Sequence, residues 1–96
     1  MDPSAAVPKT PTPRVVTLPE IEAAMRGVDL LPAIEAAFVA YSAGRAVVPP
    51  VGELLIPDQQ ADVHIKYGYI VGEPYYVIKV ASGFYANPGR GLPSSN

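Results

Sequence analysis

Apolar and polar positions change their spacing twice along this chain, and each change marks a boundary. From Thr17 the spacing is helical. Thr17-Leu18-Pro19-Glu20 has the S/T-x-x-E arrangement of a capping box, with Pro19 in the first turn, where its missing amide would be unpaired anyway. A short helix should run to about Arg26, with Gly27 able to end it. A second helix is predicted after Asp29, a natural N-cap. Leu31, Ile34, Phe38 and Tyr41 then fall on one helical face, and Gly44 closes it. Arg45 lies just past that end, where a cation meets the negative pole of the helix.

After Val47-Val48-Pro49-Pro50 the period shortens to two. Strands are expected over Val51 to Ile56, Asp62 to Ile70 and Tyr75 to Ser82, with Pro57-Asp58 and Gly72-Glu73-Pro74 as turns. Two helices followed by strands make an α+β chain, with both helices packed on a mostly antiparallel sheet. Residues 1–16 carry Pro3, Pro8, Pro11 and Pro13 without an apolar period and read as a disordered, proline-rich tail, so the domain spans residues 17–96. The stretch Gly83 to Asn96 reads as a flexible loop in which glycine and proline set the turns. With one helical layer and an open sheet edge, the fold is expected to depend on a partner or to be incomplete.

Composition narrows the function. Ninety-six residues hold one small domain, and 49% hydrophobic with 17% charged residues is globular despite twelve prolines. A net charge of −2 with no basic cluster argues against nucleic acid and against an anionic membrane surface. No cysteine is present, which removes disulfides, thiolate zinc sites and cysteine nucleophiles, and a reducing, cytoplasmic setting is expected. Neither a signal pattern nor an apolar run of the ~20 residues needed to span a bilayer occurs.

The second and third strands hold the candidate chemistry. Asp62, His64, Lys66 and Gly68 alternate with Val63, Ile65, Tyr67 and Tyr69, while Lys79 interrupts the apolar run Tyr75-Tyr76-Val77-Ile78-Lys79-Val80-Ala81. If residues 71–74 form a four-residue hairpin loop, paired positions sum to 145. Lys66 then stands directly opposite Lys79, and His64 opposite Ala81. Like charges across a ladder are unfavourable, so the pair calls for an anion between them or abundant water, and a ligand carboxylate would serve. A slip of one residue would move Lys79 to the other face. Two blander readings compete: an edge-strand lysine that blocks aggregation for Lys79, and a solvated position for Lys66. A desolvated lysine would suit Schiff-base or base chemistry, a charged one carboxylate binding. His64 is the only histidine, which rules out a multi-histidine metal site. Gly89-Arg90-Gly91-Leu92-Pro93-Ser94 lacks the third glycine and the following helix of a dinucleotide fingerprint.

Four strings in order carry a resemblance. They are Gly44-Arg45-Ala46-Val47-Val48-Pro49-Pro50, Asp62-Val63-His64-Ile65-Lys66-Tyr67-Gly68, Val77-Ile78-Lys79-Val80-Ala81-Ser82-Gly83-Phe84-Tyr85-Ala86-Asn87-Pro88, and Gly91-Leu92-Pro93-Ser94. From about Thr17 to Asn96 the chain resembles the N-terminal region of the ornithine cyclodeaminase and mu-crystallin family. The resemblance implies a substrate-binding, dimer-forming N-terminal α/β domain that the family joins to a C-terminal Rossmann domain holding NAD or NADP. It implies a lyase that converts ornithine to proline and ammonia by internal hydride transfer. It also implies that Lys79, in the K-x-x-x-G segment, is catalytic and contacts the substrate carboxylate; Lys66, as a substitute for a family arginine, and His64, where some members place a carboxylate, are taken as further candidate substrate-binding residues.

Two departures qualify what is carried over. Ornithine-specific members carry an arginine soon after the Pro-Pro position, where this chain has Val51-Gly52-Glu53. A ketimine reductase or amino-acid dehydrogenase of the same family is therefore an alternative. The Rossmann domain should lie beyond Asn96, so the chain is expected to be an N-terminal fragment or a truncated reading frame, to bind no dinucleotide alone and to be inactive alone. A non-catalytic dimerisation module is the third reading.

Overall fold

The computed structural model describes residues 9–95 and divides between Leu30 and Leu31 into two compact units. Residues 9–16 of the expected tail have no helix or strand, and residues 1–8 lie outside the described part. In the first unit, helix α1 (Leu18–Met25) starts from the expected capping box. The Thr17 hydroxyl accepts from the Glu20 amide at 3.4 Å, and the Glu20 carboxylate accepts from the Thr17 amide at 3.5 Å. Two of the helix's unpaired amides are thereby satisfied.

Helix α2 (Leu31–Ser42) opens the second unit, one residue later than an Asp29 cap would place it. Its C-terminus is a Schellman turn. The Gly44 amide donates to the Tyr41 carbonyl at 3.1 Å and the Arg45 amide to the Ala40 carbonyl at 2.9 Å, with Gly44 at φ +75°, a value that glycine adopts without a Cβ penalty. Arg45 sits where the sequence put it, just beyond the carbonyl end of the helix.

Four strands follow: β1 (Ala46–Val47), β2 (Gly52–Ile56), β3 (Ala61–Ile70) and β4 (Tyr76–Phe84). All pairings are antiparallel. Long β3 is the centre, with β4 along one edge and β2 and β1 sharing the other, so the chain is α+β as expected. The two-residue β1 has no periodic signal of its own. It is held by the sheet, and the Val71 amide also donates to the Arg45 carbonyl at 2.8 Å.

Two expectations need correction. Strand β4 starts at Tyr76 and continues through Phe84, two residues past Ser82. The stretch beyond it is not simply a loop: Asn87–Arg90 form a 3-10 turn, the Asn87 side-chain amide donates to the Pro93 carbonyl at 3.0 Å, and Ser95 bridges antiparallel to Gly83. The Phe84 amide donates to the Ser94 carbonyl at 2.6 Å, so this segment returns to the outer edge of β4. Prolines and glycines here place turns that bring backbone donors and acceptors together.

Helix α2 lies against β1 and β3, yet among the described residues only Ala40, Ala61 and Gly83 are buried. Leu31, Ile34, Phe38 and Tyr41, the face picked out by periodicity, remain exposed. The helix is apolar nearly all round, with Glu35 its only charged residue, so period alone cannot choose the side that packs. Val63, Ile65, Tyr67 and Tyr69 of β3, with Leu54 of β2 and Ile78 and Val80 of β4, share one sheet face. Leu54, Ile78 and Val80 are each about 60% exposed. The opposite face carries the polar side chains.

Candidate functional site

The register of the β3–β4 hairpin decides what that polar face can do. Tyr69 pairs with Tyr76, Lys66 with Lys79, and His64 with Ala81, which is the register expected from a hairpin loop over residues 71–74. Gly68 pairs with Val77 on the same face, two residues beyond the lysines. A Cβ at Gly68 would come within 2.5 Å of the Val47 carbonyl oxygen and 3.4 Å of the Val48 Cα, so only glycine lets the chain after β1 cross this closely.

Lys66 and Lys79 are both exposed, and among the described residues neither has a carboxylate within ion-pair distance. Two cations thus face each other across one ladder position on an open surface. With His64 and Ala81 they line a hollow of about 260 Å³. A second, larger groove of about 510 Å³ starts from the same two lysines and runs toward the hairpin loop.

His64 is held between two carboxylates. Its Nε2 lies 3.6 Å from Glu53 Oε2, and its Nδ1 3.7 Å from Asp62 Oδ1. Glu53 reaches it because β2 pairs with β3 so that Glu53 stands opposite His64. Asp62 is fixed from its other side by Tyr85, whose hydroxyl donates to Asp62 Oδ1 at 2.9 Å. Tyr85 follows Gly83 by two residues and its ring folds back over it. A Cβ at Gly83 would meet the phenol oxygen at 2.5 Å. Accepting this hydrogen bond, the Asp62 carboxylate raises the Tyr85 phenol above its ordinary value of 10.0, with desolvation and the negative charge of Asp62 adding to the effect.

All three residues singled out by sequence, Lys66, Lys79 and His64, therefore share one face of the hairpin. Sequence reasoning missed Glu53 and Tyr85 as members of the cluster. Glu53 was legible only as part of the arginine-free stretch Val51-Gly52-Glu53, and its contact with His64 needs the β2–β3 register. Tyr85 needed β4 to extend past Ser82. Among the described residues no group of three or more His, Asp and Glu side chains is placed to hold a metal ion. Gly89 and Gly91 belong to a 3-10 turn and its left-handed end, not to the strand-to-helix turn of a dinucleotide fingerprint.

Comparison with known proteins gives two relatives. One is a protein of Rhizobium meliloti (strain 1021), provisionally named a dehydrogenase, 35% identical over 80 residues that cover 78% of this chain and 24% of the relative. The other is an uncharacterized cyclodeaminase of Sinorhizobium fredii, 36% identical over 88 residues that cover 90% of this chain and 27% of the relative. The chain thus spans about a quarter of the length of the curated relatives it matches. No protein-family model matches the chain, and no solved structure matches it. Among the described residues, no helix is long and apolar enough to cross a membrane.

Proposed function

We propose that these residues form the substrate-binding front part of an enzyme of the ornithine cyclodeaminase and mu-crystallin family, with Lys66 and Lys79 together gripping the carboxylate of a small amino or imino acid. The observation that carries this reading is the direct opposition of the two lysines on an open polar face. Opposed ammonium groups destabilise a ladder, and a carboxylate placed between them turns that repulsion into two charge-assisted hydrogen bonds. Lys79 also stands in the K-x-x-x-G segment that the resemblance assigns to the substrate. His64, oriented by Glu53 and Asp62, lines the same hollow as the lysines and takes part in holding the polar end of the substrate.

The rest of the proposal concerns the complete protein. Its reaction belongs to amino-acid chemistry with NAD or NADP, the dinucleotide being held outside these residues. Ornithine conversion to proline and ammonia is the family's reaction. Net oxidation or reduction, as in a dehydrogenase or ketimine reductase, is a second reading. It is favoured by the stretch Val51-Gly52-Glu53, which has no arginine where many ornithine-specific members carry one soon after Pro-Pro, and by the dehydrogenase name of one relative. The apolar sheet face of Leu54, Ile65, Ile78 and Val80 supports a homodimer, because apolar patches of this kind mark protein contacts.

The test uses the product of the full reading frame that carries this chain. Reduced-cofactor absorbance and released ammonia are followed with a panel of small amino and imino acids. Turnover with at least one of them is expected, and Lys79→Ala should lower kcat/KM by tenfold or more while Lys9→Ala leaves it unchanged. Equal, small effects of the two variants would remove the site assignment.

A further inference from the structure

The groove that begins at the lysine pair has a one-sided lining. Beyond Lys66 and Lys79 its walls are Gly68, Val77, Ala46, Val48 and Tyr75 with their neighbours, and its only other charged residue is Glu73, in the hairpin loop. Along β3 and β4, the Gly68/Val77 pair lies two residues from the lysine pair, roughly 6.6 Å at the strand rise. Ile70 lies about 13 Å away by the same measure, and Glu73 beyond it.

A carboxylate held by both lysines leaves the remainder of its molecule to extend in one of two directions. Toward Asp62 and Glu53 the polar positions are already engaged by His64 and Tyr85. Toward the hairpin loop the groove is open. A tail of three carbons reaches roughly 4–5 Å, given C–C bonds near 1.5 Å, so its end falls beside Gly68 and Val77 and well short of Glu73. A methyl group there is removed from water against apolar walls. An ammonium group there would lose hydration without gaining a partner, and two lysine charges would stand behind it.

Building on the carboxylate reading above, we propose that this groove selects the side chain of the substrate, so that the ligand class is an α-amino or α-imino acid with an apolar tail and not a dibasic amino acid. Charge complementarity fixes one end of the ligand and the absence of a reachable acid in the groove fixes the character of the other.

L-norvaline and L-ornithine test this directly, because they differ only in the terminal ammonium group. Each is titrated into the ¹⁵N-labelled product of the full reading frame that carries this chain, following the amides of Gly68 and Val77 and the side-chain signals of Lys66 and Lys79. Norvaline should move all four saturably, with a half-saturation concentration at least fivefold below that of ornithine. Val77→Glu sets a carboxylate where the tail ends and should reverse the order of the two ligands. Val48→Glu, on another wall of the groove, should do the same if the first variant loses its fold. Saturable binding of both ligands that needs Lys79, with ornithine equal to or tighter than norvaline, would overturn the groove proposal and leave the carboxylate reading standing. Binding unchanged in Lys79→Gln, or no saturable shift with either ligand, would overturn both.

Discussion

Replacing Lys79 by glutamine should make the hairpin more stable while weakening its hold on anions. The two lysines occupy directly opposed positions in the β3–β4 ladder, and both are exposed, so their repulsion acts largely through water. Two unit charges ~7 Å apart in water repel by about 0.6 kcal/mol, and like charges opposed in a sheet are worth about 0.2–1 kcal/mol. Lys79→Gln and Lys66→Gln should each raise the unfolding free energy by about 0.5 kcal/mol at low salt. The double variant should gain no second increment, because one repulsion can be removed only once, and the double-mutant cycle isolates that term. At 1 M salt, where screening acts over ~3 Å, the gain should vanish. Urea unfolding followed by far-ultraviolet circular dichroism at low and high salt measures all of this. A carboxylate such as acetate should then stabilise the native chain more than either variant. Single variants that destabilise at low salt, or a gain indifferent to salt, would refute the argument that the lysines form an unpaired opposed couple.

Three further predictions concern the surroundings of the pair. Gly68→Ala forces a Cβ against the Val47 carbonyl, which is backbone and cannot swing aside, and should cost ~1–3 kcal/mol with a fall in Tm of several degrees. An unchanged Tm would contradict the close crossing of the chain over this position. The Tyr85 phenol should titrate above 10.0, and Asp62→Asn should bring it down, as read from tyrosinate absorbance by difference with Tyr85→Phe. Because the fold favours the protonated phenol, this contact adds stability below pH about 10 and loses it as pH rises through the raised midpoint. A Tyr85 midpoint that Asp62→Asn leaves unmoved would show that the Asp62 contact does not persist in solution. Gly83→Ala should displace the Tyr85 ring and likewise lower its titration midpoint, and no change would contradict the folded-back ring.

How much of this was legible in the sequence depends on which contacts are local. The capping box at Thr17 and the stop at Gly44 involve residues within a turn or two of each other, and both are as the residue types dictate. The opposition of Lys66 and Lys79 was legible for a related reason. Period-two alternation fixes which face each side chain takes, and the Gly72-Glu73-Pro74 turn fixes the register, so two local signals set one contact. The packing side of α2 was not legible, because a helix that is apolar nearly all round offers no contrast between faces. Nor was strand β1, whose two residues owe their conformation to β3. The pairing of Glu53 with His64 depends on a second register, set by the 3-10 turn at Pro57–Gln59 and the left-handed Gln60. The Tyr85 contact depends on the strand continuing through Gly83, whose missing side chain makes room for the ring.

The proposed joint action of Lys66 and Lys79 on one carboxylate comes with a control within the chain, since Lys9 is its only other lysine. The most direct measurement is a titration of the ¹³C-labelled lysine side chains with acetate, and with acetamide as the uncharged match. The account predicts a saturable shift of the Lys66 and Lys79 signals with a shared midpoint, absent for Lys9, absent with acetamide, and lost at Lys66 when Lys79 is replaced by glutamine. Shifts that grow linearly and equally at all three lysines, or a Lys66 response that survives Lys79→Gln unchanged, would contradict it.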